Sequence, residues 1–341
     1  MKIVNWNIEW MNNWFVGYGQ VEFRQNHLSS GINNVADLCR RVASVIKALN
    51  PDVLTLEEGP SDIREMALFT GTYLVDDHND EIFDVFGGLD GGAQKVYALV
   101  KKDGEFKNPA LASDAETLKL QQPWTADVSG NCELDGYEFT RLPLVLEGNI
   151  GDGEEKLMIV TLHTKSKYVH NGEADWISTE PGRKAAFIKA AVKNRRRISA
   201  EGMRLRTYLN ELIKQDPNTR IIVTGDLNDG PGVDFFEKNY LTHNVTDIIL
   251  GSTFYPNLLF KHAFLETTPD AERYTAIFRD FIDDIPQRKV LLDHFLCSPA
   301  LSPQVQNAGI AHQEWTAETD DNVEEGRQKY VSDHRPIFIN L

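Results

Sequence analysis

The sequence predicts an α/β protein that keeps its chemistry at the ends of its strands. Short apolar or β-branched runs recur along the chain, as in Ile221-Ile-Val-Thr224 and Val53-Leu-Thr-Leu56. An amphipathic helical spacing joins the first two of these runs, so a βαβ unit closes early. Each run then ends on Asp, Glu, Asn or His, where α/β sheets place their ligands.

At 341 residues the chain is long enough for one large α/β domain or two small ones. No repeat, low-complexity tract or Pro/Ser-rich linker divides it. A single domain over 1–341 is therefore expected, with loop insertions near 11–30, 168–182 and 241–289. A formal charge of −16 argues against a surface that grips long duplex DNA all over, so any polyanion must be met locally. Cys39, Cys132 and Cys297 are widely spaced with no CxxC pair, which suits neither a zinc cage nor a disulfide framework. Met1-Lys2 leads directly into Ile3-Val4-Asn5-Trp6, and no run of about 18 apolar residues follows. A cytoplasmic protein without stable membrane association is expected; the sequence carries no signal of oligomeric state.

Lys2 to Ile8 alternates as a strand and delivers Asn7 and Glu9 to its end, two residues apart on one face. Residues 11–30 read as a loop near the mouth of a site. From Val35 to Leu49 the apolar residues follow helical spacing, with Asn33 or Asn34 as cap and Asn50-Pro51 as stop. Asp52 to Glu58 is a short buried strand with two acids at its tip, before the turn signal Gly59-Pro60. Glu58 is thereby brought toward Glu9, and a cation would explain two neighbouring strands ending in acids; a turn-capping role is expected for Glu57. Strands are also expected at Thr72 to Val75 and Val96 to Lys101. Between them, Gly87-Gly-Leu-Asp-Gly-Gly92 lacks the spacing of a nucleotide cradle and reads as a flexible turn. Residues 103–135 read as loop-rich.

Tyr137 to Leu146 and Lys156 to His163 read as an antiparallel pair joined by Gly148 to Gly153. The pair introduces Arg141 and His163, and Thr164-Lys165-Ser166-Lys167 adds two cations and two hydroxyls, a patch suited to phosphate. Residues 168–182 form a polar excursion. Arg183 to Arg206 holds nine basic residues and a single acid, Glu201, and opens a helix through Ile213; against the overall charge this favours anion attraction. The strand Ile221 to Thr224 ends at Gly225, with Asp226 and Asn228 side by side beyond it. Taken alone Gly-Asp-Leu-Asn is only a turn; with partners it can hold a cation and orient a phosphate oxygen or water. Pro231 begins a helix through Val233, Phe236 and Tyr240, and Arg273 to Phe278 reads as a strand. Val290 to Ser298 is apolar except for Asp293 and His294, and a carboxylate inside a buried strand requires a partner. His334, before the terminal apolar strand, is that candidate.

Trp6-Asn7-Ile8, Leu56-Glu57-Glu58, Arg141-Leu-Pro143, His163-Thr-Lys-Ser166, Gly225-Asp226-Leu-Asn228, Leu292-Asp293-His294 and Ser332-Asp333-His334 occur in this order. Together they resemble the endonuclease/exonuclease/phosphatase (DNase I-like) superfamily over almost the whole chain. The resemblance implies a four-layer α/β sandwich, two mixed β-sheets flanked by helices, with the site at one end of the sheets. It implies Mg²⁺ (or Mn²⁺) on Glu58, with Glu9, Asn7 and Asp333 around the metal or its waters. Asp226 and Asn228 would orient the attacking water and a phosphoryl oxygen. His334, oriented by Asp293, would be general base or phosphate contact, His163 general acid or phosphate ligand, and Arg141, with Lys165 and Lys167, would bind substrate. Glu57 stands where many members carry Gln.

The function implied is a metal-dependent phosphodiester hydrolase, foremost a nuclease acting on nucleic acid, with DNA the first expectation. The alternatives are a phosphatase or phosphodiesterase for a small or lipid phosphate, and a non-catalytic interaction protein on the same fold.

Overall fold

Two six-stranded sheets, packed face to face, set the architecture; the computed structural model describes residues 1–89, 92–232, 234–240, 242–323 and 326–341. The first half of the chain forms β1 (Lys2–Asn7), β2 (Phe15–Gly17), β3 (Gln20–Phe23), α1 (Val35–Leu49), β4 (Val53–Gly59), α2 (Ile63–Tyr73), β5 (Phe83–Gly87) and β6 (Lys95–Lys101). There follow β7 (Phe106–Leu111), α3 (Ala115–Gln121), β8 (Trp124–Ala126), β9 (Asp135–Tyr137), β10 (Leu144–Ile150), β11 (Lys156–Thr161), α4 (Gly172–Trp176) and α5 (Pro181–Gln215). The remainder comprises β12 (Ile221–Asp226), α6 (Phe235–Tyr240), α7 (Val245–Leu250), β13 (Lys261–His262), β14 (Ala276–Asp280), β15 (Ile285–Val290), β16 (Asp293–Cys297), β17 (Asn307–Ile310), α8 (His312–Ala317) and β18 (Ile337–Asn340).

One sheet has the order β17-β18-β1-β4-β6-β5 and the other β13-β16-β12-β11-β10-β7. Each contains one parallel pair, β1 with β4 and β11 with β12, in an otherwise antiparallel sheet. The parallel pairs need helical crossovers, and α1 and α5 supply them. Leu38, Val42 and Ile46 of α1 and Phe69 of α2 cover Val4, Trp6, Leu54 and Leu56 on one outer face. Ile198, Leu205 and Leu209 of α5 and Ile249 of α7 cover Val160, Val223 and Leu296 on the other. Helix, sheet, sheet, helix is the four-layer sandwich expected.

The period-2 alternation explains where the site lies. Between the sheets, Ile3, Val53, Leu157, Ile159, Ile222, Phe295 and Cys297 form one apolar layer. Continuing along the same strand faces, Ile3 is followed by Asn5 and Asn7, Val53 by Thr55 and Glu57, Ile159 by Thr161 and His163, Ile222 by Thr224 and Asp226, and Phe295 by Asp293. The inter-sheet layer thus turns from hydrocarbon to polar at one end, and these polar residues are all buried.

Local signals fix the elements. Asn34, not Asn33, caps α1 by accepting from the Asp37 amide, and Asn50 ends the helix in a left-handed conformation. Thr72 and Tyr73, expected to open a strand, are the last turn of α2. Its capping box of Asp62 and Glu65 starts a helix that carries through the β-branched residues, and Val75 makes only an isolated bridge. Residues 103–135, expected as loop, contain β7, α3 and β8; Asp114 caps α3 by accepting from the Glu116 and Thr117 amides. The 168–182 excursion contains α4 and the start of α5, and 241–289 contains α7, β13, β14 and most of β15. β14 begins at Ala276 rather than Arg273. The helix expected from Pro231 is seen as α6 from Phe235; Val233, like Asp90 and Gly91 of the glycine turn, lies outside the described residues. No helix among the described residues is long and apolar enough to cross a membrane.

Candidate active site

The two strand ends singled out by sequence share one local device. β1 stops at Asn7, whose Oδ1 accepts from the Glu9 amide at 3.0 Å. β12 stops at Asp226, whose Oδ1 accepts from the Asn228 amide at 2.8 Å. Both are side-chain-closed turns, so Glu9 and Asn228 do not continue the pleat as expected. Each instead adopts a left-handed backbone, φ 52° and 49°. Glu58 is left-handed as well, φ 56°, at an irregularity in the β4–β6 register. Such conformations cost on the order of 1–3 kcal/mol each for residues with a Cβ, and three of them surround one cleft.

The irregularity at Glu58 decides where the two adjacent acids point. Strand alternation carries Glu57 into the inter-sheet layer, fully buried, where it accepts from Asn5 Nδ2 at 3.2 Å; it caps no turn. Burial and the nearby Asp293 and Asp226 push its carboxyl well above the ordinary range. Glu58, out of alternation, reaches the cleft by its backbone flip. Its carboxylate accepts from the Trp10 amide (2.8 Å), Gln94 Nε2 (2.6 Å) and Asn7 Nδ2 (3.3 Å).

Asp226 is the meeting point. Its Oδ2 accepts from Asn7 Nδ2 at 2.9 Å and lies 3.5 Å from His163 Nε2 and 3.8 Å from His334 Nε2. The partner expected for Asp293 is found: His334 Nδ1 lies 2.7 Å from Asp293 Oδ2, leaving Nε2 to face the cleft. Asp226, Asp293 and His334 each place one ligand-capable atom within 4.8 Å of the others. His163 loses affinity for a proton through burial and through the Arg141, His334 and Lys165 charges. Burial acts the same way on His334, yet Asp293, Asp333 and Asp226 outweigh it and hold that imidazole well above its usual range. The two rings around one carboxylate therefore favour opposite protonation states.

Ser332 shows why the terminal motif needs its serine: the hydroxyl donates to the Asn7 carbonyl (2.6 Å) and accepts from the His334 amide (3.0 Å), clipping the His334 loop to the end of β1. Gly225, φ 134°, packs against the Leu162 carbonyl so closely that a Cβ would lie 2.0 Å from that oxygen. Arg327, which sequence reasoning missed, is buried; its Nε lies 3.1 Å from Glu9 Oε2, and it donates to the Ile8, Tyr330 and Val331 carbonyls. No motif marks it, because its partners are mostly backbone oxygens, which carry no sequence signal, and its one acid, Glu9, is far away in sequence.

Glu9 Oε2 also accepts from the Asp333 amide at 2.9 Å. Burial pushes Glu9 up to about 7 against the pull of Arg327, with Asp333 and Glu58 adding repulsion, and Glu58 is raised by burial and by Asp333. Buried Glu57 Oε1 and Asp293 Oδ1 have no hydrogen-bond partner. The cleft holds more carboxylate than its own cations satisfy, all with hard oxygen donors, and this fits a divalent ion of the Mg²⁺ or Mn²⁺ kind.

The basic residues divide. Arg141 Nη2 donates to Gln94 Oε1 at 2.5 Å, and Gln94 in turn holds Glu58, so the guanidinium is tied to the carboxylate cluster through one amide. Gln94 belongs to none of the sequence motifs. Lys167, expected to bind substrate, is instead enclosed by acids: its Nζ contacts Asp229, with Asp234 at 3.4 Å and Glu237 at 3.7 Å. Its charge is neutralised inside the protein. The Arg183–Arg206 segment is likewise largely consumed: Arg183 pairs with Asp175, Arg195 with Asp234, and Arg204 and Arg206 donate to main-chain carbonyls.

This sheet order and layering are those of the DNase I-like fold. No protein-family model and no curated protein matches the chain by sequence. Solved structures match by fold. The chain is similar to a mannosyl-6-phosphatase of Bacteroides thetaiotaomicron, 14% identical over 100% of this chain and 98% of that one, TM-score 0.52. It is similar to an endonuclease/exonuclease/phosphatase family protein of the same organism, 13% identical over 99% and 93%, TM-score 0.50. A third match is D. rerio TDP2 complexed with single strand DNA product, 14% identical over 100% and 99%, TM-score 0.50.

Proposed function

We propose that this protein is a divalent-metal-dependent phosphodiester hydrolase whose substrate is a nucleic acid strand. The observation that carries the reading is the convergence of Asp226, two imidazoles of opposite proton affinity and the carboxylates of Glu9 and Glu58 at one end of the inter-sheet layer. Glu58, with Glu9 and Asp333, would hold Mg²⁺ or Mn²⁺, which supplies charge neutralisation at the phosphoryl oxygens when bound. Asp226 and Asn228 orient the attacking water, and Asp226 accepts its proton. His334, steadied by Asp293, presents a charged Nε2 to a phosphoryl oxygen. His163, neutral in the free protein, donates a hydrogen bond toward the departing oxygen. Water adds to phosphorus as the P–O ester bond breaks, its proton passing to Asp226 and a proton from solvent completing the departing oxygen, so that a monoester and an alcohol result.

The single-stranded DNA product held by the TDP2 neighbour is in keeping with a nucleic acid substrate. A phosphatase for a small phosphoester is the second reading, favoured by a cavity of about 390 Å³ beside the carboxylates, lined by Trp10, Asn13, His27 and Ser30 among others. A substrate panel separates them: plasmid, single-stranded DNA, RNA, bis(p-nitrophenyl) phosphate, sphingomyelin and p-nitrophenyl phosphate, each with Mg²⁺, Mn²⁺ or chelator. Metal-dependent cleavage of diesters that falls at least 100-fold in Asp226→Ala is expected. Turnover confined to monoesters selects the second reading, and full activity in Asp226→Ala removes the mechanism.

A further inference from the structure

Three cations remain unpaired beside the cleft. Among the described residues Arg141, Lys165 and Arg197 have no carboxylate within ion-pairing distance, and the buried Nε of Arg197 has no acceptor at all. They are brought together by Glu201, the one acid of the basic segment. Its fully buried carboxylate accepts from the Lys165 amide (2.8 Å), Tyr137 Oη (3.0 Å) and the Thr140 amide (3.1 Å) and hydroxyl (2.9 Å). These neutral donors pin the segments on either side of Arg141 and Lys165 to α5. Arg197 lies one helical turn before Glu201 on the same face of α5, so it faces the same segments. The Lys165 ammonium is half-buried; burial and the Arg141 and Arg197 charges hold it below the ordinary lysine value. On a chain of net charge −16, Lys165 and Arg197 share this corner with the single buried carboxylate of Glu201, which acts on Lys165, and an anion that is not part of the protein would complete the compensation.

We propose that Lys165 and Arg197 form a subsite for a second, non-scissile phosphate of a nucleic acid strand, reached from the scissile position by way of Arg141. The order along the cleft supports this. Glu58 holds Gln94 and Gln94 holds Arg141, Arg141 Nη1 donates to the Thr164 carbonyl beside Lys165 at 3.4 Å, and the Lys165 amide is held through Glu201 to the same face of α5 as Arg197. A monoester bound at the carboxylates would leave the subsite empty, whereas a strand places its neighbouring phosphate there. The inference rests on the diesterase reading of the cleft and narrows it to substrates with at least two phosphates in series.

The test separates the two. Binding of fluorescein-labelled 12-mer oligodeoxyuridylate and oligouridylate is followed by anisotropy in chelator over a range of salt, for the parent, Arg197→Gln, Arg197→Lys and the remote control Lys214→Gln. Arg197→Gln is expected to weaken binding about tenfold and to reduce the slope of log K against log salt by about 0.7, one phosphate contact on a single strand; Arg197→Lys restores the slope. A slope in Arg197→Gln equal to the parent's, with melting temperatures matched, overturns the subsite. In Mg²⁺, the ratio of kcat/KM on the oligonucleotide to that on bis(p-nitrophenyl) phosphate is expected to fall about tenfold in Arg197→Gln. An unchanged ratio also overturns the subsite, whereas a parent inactive on every diester overturns the diesterase reading while the salt slope still decides the subsite. Equal effects on both oligonucleotides place recognition on phosphate; loss with only one assigns the strand's sugar.

Discussion

Replacing Glu57 with glutamine should stabilise the protein, increasingly so as pH rises. The carboxyl is fully buried, one oxygen has no hydrogen-bond partner, and its charged neighbours include Asp293 and Asp226. Glutamine keeps the shape and can still accept from Asn5 Nδ2. Glu57 has its pKa raised on folding, so the native state binds more protons than the unfolded chain, and stability falls as pH climbs from the ordinary value of about 4.3 toward the folded one. The slope is about 1.4 kcal/mol per pH unit for one group, and glutamine has no such slope. Between pH 4.5 and 6.5 the advantage of Glu57→Gln should grow by up to about 2.4 kcal/mol, the limit for a carboxyl that stays protonated in the folded protein across that range, roughly 4 °C in Tm. Urea denaturation of both proteins in chelator across that range measures it. A difference independent of pH, or a variant less stable throughout, would refute the argument that this acid is an uncompensated buried group.

Three further outcomes are expected. Gly225→Ala forces a Cβ to within 2.0 Å of the Leu162 carbonyl at φ 134°, so a loss of about 3 kcal/mol or more and displacement of Asp226 should appear as a lower Tm and collapsed activity. Mg²⁺ at about 100 times its Kd should raise stability by about 2.7 kcal/mol near pH 8, with most of that gain absent in Glu58→Gln; a thermal shift identical in both proteins would contradict the placement of the metal. His262 Nε2 lies 3.0 Å from His294 Nδ1, and both imidazoles are pushed down by burial. The native state binds fewer protons, so this contribution is complete above the unfolded value of about 6.5 and lost as pH falls through it, at up to about 1.4 kcal/mol per unit for each ring. A pH dependence of the melting temperature between 6.5 and 5 that is the same in His262→Gln as in the parent would refute it.

The sequence by itself determined the strand tips. Short-range alternation is enough to show Asn7, Asp226 and His163 following apolar residues on one strand face, and a cap and a stop are enough to bound α1. A buried Asp293 demands a partner by the cost of an unpaired charge, so His334 could be named across forty-one residues of separation. Only the tertiary structure decided which acid does what. Alternation assigns Glu57 inward and Glu58 outward; the left-handed backbone of Glu58, held by Trp10 and Gln94, reverses its assignment. The charge of Lys167 is cancelled by Asp229, Asp234 and Glu237, which lie over sixty residues away, and part of the basic helix is tied up by scattered acids and carbonyls. Periodicity is a property of neighbouring residues and survives in a one-dimensional reading. The compensation of a charge is a property of whatever folding brings within a few ångströms, and that is fixed only when the two sheets close on each other.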